Sequence, residues 1–209
     1  MMKRSLFFMA IAGTALASTA TAQSLSTTFA GGNGLSSAPD VTYFDVAIGA
    51  NPLRVTAFDT NTDVAAGDRF TIEVYLTPGG FAGNTTNPGV WTSMTTGTGL
   101  GNGFGNTVDA VMIDRPFLMD ANTVYGVAFV YTSYGAGGGV NYTNGTGANQ
   151  AYSNVDLGMR LGSSGGSLFS GGLFDPRVWN GTIYYDVIPA PASLALLGLG
   201  GLVATRRRR

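Results

Sequence analysis

The clearest structural signal in the chain lies in residues 69–77, RFTIEVYLT. Apolar and polar side chains alternate along this segment. One alternating set comprises Phe70, Ile72, Val74 and Leu76. The other set comprises Thr71, Glu73, Tyr75 and Thr77. Because successive side chains of a β-strand point to opposite faces, the pattern predicts a strand that buries one face.

Residues 123–132, TVYGVAFVYT, form a second extended segment, in which both alternating sets are largely apolar. Such a strand needs cover on both faces, so we expect it at the centre of a sheet. Short runs of β-branched and aromatic residues, separated by Gly, Asn and Pro, predict further strands. These expected strands are Thr42–Ile48, Leu53–Phe58, Val90–Met94, Thr107–Ile113, Val155–Leu161 and Gly181–Val187. The pattern indicates an all-β fold, a single β-sandwich of jelly-roll type.

The connections between these strands carry their own signals. Asn180-Gly181 is typical of a type I′ turn, so we expect a hairpin between residues 177–179 and 182–185. Two segments rich in Gly and Asn, Gly97–Asn106 and Gly135–Gln150, are expected to be long loops. Loops of that length in a compact domain are either functional or mobile.

The amino-terminal segment has the layout of a secretory signal peptide. Lys3 and Arg4 precede an apolar run, Leu6–Leu16, which is too short to span a bilayer stably. Ala20-Thr21-Ala22 forms an A-x-A cleavage site before Gln23. Cleavage between Ala22 and Gln23 would remove a signal helix formed by residues 1–22 after export through the secretory translocon.

The carboxy-terminal segment is a second removable element. Residues 190–205 are apolar and small, and four basic residues follow them: Arg206, Arg207, Arg208 and Arg209. A helix of about sixteen residues rises roughly 24 Å, slightly less than a hydrocarbon core. The arginines favour the cytoplasmic side. We therefore expect transient anchoring in the inner membrane, with the body of the protein outside.

The sequence around Pro189-Ala190-Pro191, together with the apolar run and the arginines, resembles a PEP-CTERM sorting signal. That resemblance implies an exported bacterial protein processed by an exosortase, in bacteria that make extracellular polysaccharide. Ala190 departs from the family pattern, which has Glu between the prolines, so the efficiency and position of processing are open. An ordinary tail-anchor helix is the alternative. The expected organisation is residues 1–22 signal, 23–188 β-domain and 189–209 sorting segment.

The charge of the body excludes several classes of partner. Residues 23–188 contain five arginines, no lysine and all twelve acidic residues, a formal charge of −7. Binding to nucleic acid requires a basic surface, so no nucleic-acid partner is expected. The chain has no Cys and no His, which removes disulfides and the commonest general base. With no nucleophile elbow and no credible carboxylate pair, we expect no catalysis.

Residues 59–63, DTNTD, have the D-x-N-x-D spacing of a calcium-binding loop. Val64 stands where an EF-hand needs Gly, and Phe70 stands where it needs Glu. An EF-hand is therefore excluded. Two interpretations stay open, a looser calcium site or a solvated turn. The candidate ligands are Asp59, Asn61, Asp63 and Asp68.

Aromatic residues near the second long loop are candidates for sugar stacking. Tyr134, Tyr142 and Tyr152 could form an exposed platform, since aromatic faces suit the C–H faces of sugars. The alternative is that they belong to the core, which is the interpretation we favour for Trp91.

The leading hypothesis is an exported, noncatalytic envelope or extracellular-matrix protein, structural or adhesive and located at the cell surface or outside the cell. The alternative is a carbohydrate-binding module for extracellular polysaccharide, with or without calcium.

Overall fold

The computed structural model describes residues 22–27, 29, 33–105, 108–135, 138–169 and 172–188. The predicted signal residues before Ala22, and the sorting segment with Pro189, Ala190, Pro191 and the four arginines, lie outside these ranges. Within the described residues no helix has the length and apolar character needed to cross a membrane.

The described chain is all-β, as predicted, with one short 3₁₀ turn at Pro88–Val90. The first eight strands are β1 (Ala22–Ser26), β2 (Asn33–Gly34), β3 (Asp40–Ile48), β4 (Leu53–Thr60), β5 (Arg69–Pro78), β6 (Thr92–Leu100), β7 (Asp109–Ile113) and β8 (Phe117–Met119). The remaining strands are β9 (Val124–Ser133), β10 (Asn141–Asn144), β11 (Ala151–Ser153), β12 (Leu157–Gly165), β13 (Leu173–Phe174), β14 (Arg177–Trp179) and β15 (Gly181–Val187).

Most strands belong to one antiparallel sheet. Its order is β1-β15-β4-β7-β6-β5-β9-β3-β12-β11, with β8 paired to β4 and β13 paired to β12. Its two ends approach each other, because the Asn154 side chain beside β11 donates a hydrogen bond of 3.2 Å to the Ser24 carbonyl of β1. A separate sheet contains β14, β10 and β2. The large sheet therefore curls until it is nearly closed.

The interior of the curled sheet holds the main core. The predicted inward set of β5 is buried there, with Phe70, Ile72 and Val74 fully inaccessible and Leu76 4% exposed. The rings of Phe58 and Phe129 stack across the interior, with centroids 4.6 Å apart. Because β4 and β9 are not neighbours in the sheet, this contact shows that opposite parts of the sheet face one another.

A second core covers the outer face of the central strands. Ala128 and Val130 of β9 pack there against Tyr43 of β3 and Trp91, while the alternate residues of β9 face the interior. The predicted central, two-sided strand is thus confirmed, as is the core position of Trp91, which is 8% exposed. The segments that cover this outer face contribute Phe81, Trp91, Leu168, Phe169 and Leu173.

Three expectations about connections are wrong. The hairpin at Asn180-Gly181 does not form, because β14 pairs with β10 and β15 pairs with β4. The segment expected to be a loop from Gly97 begins as strand, since β6 continues to Leu100. Gly99 serves packing there: a Cβ at this position would overlap the ring of Phe70. The second expected loop contains strand β10.

Candidate functional site

The three tyrosines proposed for sugar stacking do not form one exposed platform. Tyr142 is 3% exposed and lies under the Arg177 guanidinium, whose central carbon is 5.0 Å from the ring centroid. Tyr134 stacks on Tyr131 with ring centroids 6.0 Å apart. Tyr152 is partly buried against the main core. The three rings therefore share no exposed face, because Tyr142 is buried and both Tyr134 and Tyr152 pack against the main core.

Tyr134 also belongs to a buried polar contact. Its hydroxyl donates to a carboxylate oxygen of Asp40 at 2.7 Å, and Asp40 is 1% exposed. Burial raises the pKa of the Tyr134 hydroxyl, and the charge of Asp40 raises it further. The pKa of Asp40 is itself raised, chiefly by its removal from water. Tyr134 therefore serves the fold rather than an exposed surface.

Two of the four candidate calcium ligands, Asp59 and Asp63, hydrogen-bond to separate protein partners. Asp59 lies in β4 and accepts a hydrogen bond of 2.6 Å from the Tyr184 hydroxyl. Asp63 accepts one of 2.6 Å from the Asn141 amide nitrogen. Asn61 is fully buried. The described residues contain no group of three or more acidic side chains that could hold a metal ion, and Asp68 belongs to no such group there.

Most acidic side chains are engaged in structural contacts. Asp109, which is fully buried, shows the pattern: it accepts hydrogen bonds from the backbone and hydroxyl of Thr62 and from the backbone of Asn102, at 2.6–2.8 Å. Burial raises its pKa. Ten further acidic side chains accept a hydrogen bond from a protein donor: Asp40, Asp45, Asp59, Asp63, Glu73, Asp114, Asp120, Asp156, Asp175 and Asp186.

An open groove lies on the outer face of the sheet, where the second core ends. It consists of three adjoining cavities of about 430, 480 and 420 Å³ that all share Arg160. Small side chains of β3, β11 and β12 form its floor, namely Ala47, Ala151 and Gly158. We call this surface the outer groove and define its polar lining as Asp45, Gln150, Tyr152, Arg160 and Asp175.

Two opposite charges lie side by side in the outer groove. Asp45 of β3 and Arg160 of β12 are cross-strand partners, on neighbouring strands. One Asp45 oxygen accepts a hydrogen bond of 2.8 Å from the Phe81 backbone. Burial raises the pKa of Asp45, and the positive charge of Arg160 partly opposes that rise. The only ion pair among the described residues joins Arg54 to Asp186, so no described carboxylate lies within 4.0 Å of the exposed Arg160 guanidinium.

The walls of the outer groove are held by specific contacts. The Phe81 ring lies against Gly162, where a Cβ would overlap it. The Gln150 amide donates to the Leu161 carbonyl at 2.9 Å and accepts from the Gly147 backbone at 3.1 Å. Asp175 accepts a hydrogen bond of 3.0 Å from Ser163. The groove is therefore shaped before any ligand arrives, which lowers the cost of binding.

Sequence reasoning selected Tyr152 but missed its neighbours in the groove. Asp45 and Arg160 stand in ordinary alternating strands, and nothing local marks either as part of a site. Their proximity follows from the pairing of β3 with β12. No protein-family model matches the chain, and no curated protein is significantly similar to it.

Proposed function

We propose that this chain is an exported, noncatalytic protein of the cell envelope or extracellular matrix, with a structural or adhesive role. The observation that carries the proposal is the pair of terminal segments, one resembling a signal peptide and one resembling a sorting signal, around a body in which most acidic side chains make structural contacts. The secretory translocon and an exosortase-type enzyme are its processing partners. Transient anchoring in the inner membrane precedes its arrival at the cell surface or outside the cell.

The ends of the β-domain support this order of events. Ala22 pairs with Asp186 in the register of β1 and β15, so the two junctions lie beside each other. A chain cut between Ala22 and Gln23 keeps the rest of β1 for pairing with β15. Strand β15 ends at Val187, two residues before Pro189, where the sorting segment begins. The first cut therefore removes only the first residue of β1, and the second follows the end of β15, so both junctions lie at the same edge of the sheet.

The finer class of the fold is part of the same proposal. We assign the curled sheet to the β-sandwiches, of jelly-roll type. The support is the packing of opposite parts of the sheet against each other, with β4 facing β9 through Phe58 and Phe129. A sandwich of this kind presents broad outer faces, which suits a scaffolding or adhesive protein.

The sorting proposal is tested by removing the basic end of the chain. Deleting Arg206–Arg209 should increase release of the protein into the medium, because the positive charges hold the tail on the cytoplasmic side. The matched control replaces the four arginines with lysines, which preserves the charge and should preserve retention. Fractionation and immunoblotting of cells and medium give the result. Equal release of the wild-type and truncated chains would refute the proposal.

A second candidate function is carbohydrate binding, and the outer groove is the observation that favours it. Its preformed walls, small-residue floor and fixed hydrogen-bonding groups suit a ligand rich in hydroxyls. A glycan array probed with the protein, with and without calcium, tests this function. Absence of binding in both conditions would leave the structural role alone. Binding that disappears on chelation would restore the calcium hypothesis.

A further inference from the structure

We propose that the outer groove binds a neutral polysaccharide chain. Asp45 accepts hydrogen bonds from sugar hydroxyls, and Arg160 donates hydrogen bonds to them. This inference rests on the carbohydrate-binding function proposed above and adds the class of ligand and the residues that select it. The structure supports it through the shape, the charge and the hydrogen-bonding groups of the groove.

The shape of the groove suits an extended ligand. Its cavities follow β3 and β12 from Ala47 and Gly158 at one end to Phe81 and Gly162 at the other, with Arg160 between them. The four-residue distance from Gly158 to Gly162 spans roughly 13 Å at the rise of a β-strand. That length exceeds a single sugar ring. The small-residue floor leaves the outer side of the groove open to a chain.

The charge of the groove argues against an acidic ligand. Its charged lining is one cation, Arg160, and two carboxylates, Asp45 and Asp175. The body around it has a formal charge of −7. The negative field of the body would repel a uronate or sulfated chain, whereas it would not repel a neutral chain.

The hydrogen-bonding groups complement sugar hydroxyls, which both donate and accept. Asp45 accepts one protein hydrogen bond, through a single oxygen, from Phe81. A carboxylate can accept several hydrogen bonds, so Asp45 retains capacity for a ligand hydroxyl. The exposed Arg160 guanidinium carries five N–H donors on the neighbouring strand. Adjacent acceptor and donor groups of this kind can engage two hydroxyls of one sugar ring.

The experiment measures binding of the full-length chain, in detergent, to neutral hexose oligomers and to an oligouronate of equal length. We expect binding to at least one neutral oligomer and no measurable binding to the oligouronate. Asp45→Asn and Arg160→Ala should each weaken neutral binding about tenfold, the loss of roughly one charge-assisted hydrogen bond. Asp45→Asn keeps an oxygen acceptor for the Phe81 backbone, so it tests the ligand contact with little disturbance of the wall.

Arg69→Ala is the matched control, because Arg69 is an exposed strand arginine that does not line the groove. It should bind as the wild type does. Binding to the neutral oligomer should also be insensitive to a tenfold rise in salt, since no ligand charge is involved. Circular dichroism checks that each variant is folded.

The outcomes separate this inference from the function on which it rests. If no glycan binds, carbohydrate binding itself fails. If the chain binds the oligouronate instead, in a salt-sensitive manner, carbohydrate binding stands and the neutral-ligand inference is overturned. If neutral binding survives in folded Arg160→Ala and Asp45→Asn, or falls equally in Arg69→Ala, the assignment to the outer groove is overturned.

Discussion

Replacing Phe129 with Leu should destabilise the domain by about 2–4 kcal/mol. The ring of Phe129 contacts three aromatic neighbours, with centroid separations of 5.2 Å to Phe44, 4.6 Å to Phe58 and 5.0 Å to Trp179. Each such pair contributes about 0.5–1.5 kcal/mol beyond the area it buries. Leu retains most of the apolar volume, so the loss reports mainly the ring contacts. Against a typical total stability of about 5–15 kcal/mol, this loss is large.

Urea denaturation of residues 23–188, followed by tryptophan fluorescence, gives the magnitude. The chain has two tryptophans, so a Trp91→Phe background leaves Trp179 as the reporter beside Phe129. Phe104→Leu is the matched control, because Phe104 is 80% exposed. The control should change the free energy of unfolding by less than about 0.5 kcal/mol.

A double-mutant cycle tests the curl of the sheet directly. Phe58 and Phe129 lie on β4 and β9, which are not hydrogen-bonded neighbours, and they meet only if the sheet folds over its own interior. Phe58→Leu combined with Phe129→Leu should therefore show a coupling energy of about 0.5–1.5 kcal/mol. A coupling near zero, or a Phe129→Leu effect no larger than that of Phe104→Leu, would refute the reasoning.

Three further perturbations probe the buried polar groups and the groove wall. Burial raises the pKa of Asp40 above 3.8, so the native state binds a proton more readily than the unfolded chain, and this contribution to stability should fall as pH rises from about 3.8 through the folded-state pKa. Asp40→Asn should remove that pH-dependent component from the melting temperature measured between neutral pH and pH ~4. An identical dependence of melting temperature on pH in the two proteins would contradict the expectation. Tyr131→Phe removes a buried hydroxyl that contacts Thr60 at 2.5 Å, and should cost about 1–3 kcal/mol in chemical denaturation, whereas no loss would show that Thr60 finds another partner. Gly162→Ala should displace the Phe81 ring from the wall of the outer groove and lower the melting temperature, while Gly166→Ala, where a Cβ meets nothing within 4 Å, should not; equal melting temperatures would disprove the packing argument.

Strand positions were predictable where the pattern is local. The alternation in residues 69–77 predicted the inner face of β5, and the run in residues 123–132, apolar on both faces, predicted a central strand. Both predictions were possible because burial of one or two faces of a strand determines the polarity of consecutive residues. Gly99 misled the sequence reading because its role is to make room for Phe70, a residue of another strand. A packing requirement of that kind leaves the same trace in the sequence as a loop.

The hairpin predicted at Asn180-Gly181 does not form, for a related reason. Its two residues favour a hairpin, but Trp179 stacks on Phe44 with ring centroids 5.2 Å apart. The burial of that ring accompanies the pairing of β14 with β10 in the smaller sheet, while β15 joins β4 in the larger one. Tertiary packing thus overrode the local turn preference. Tyr142, which also lies in the smaller sheet, is buried by the same arrangement.

The sequence by itself determined the all-β class, the location of the main strands and the acidic, histidine-free character of the body, because composition and nearest-neighbour periodicity carry those properties. The tertiary structure alone decided the near-closure of the sheet, the burial of Asp40 and Asp109, and the meeting of Asp45 with Arg160. Each of these depends on which distant strands pair and in which register. A shift of one residue in the pairing of β3 with β12 would separate Asp45 from Arg160, so the outer groove is a property of the register.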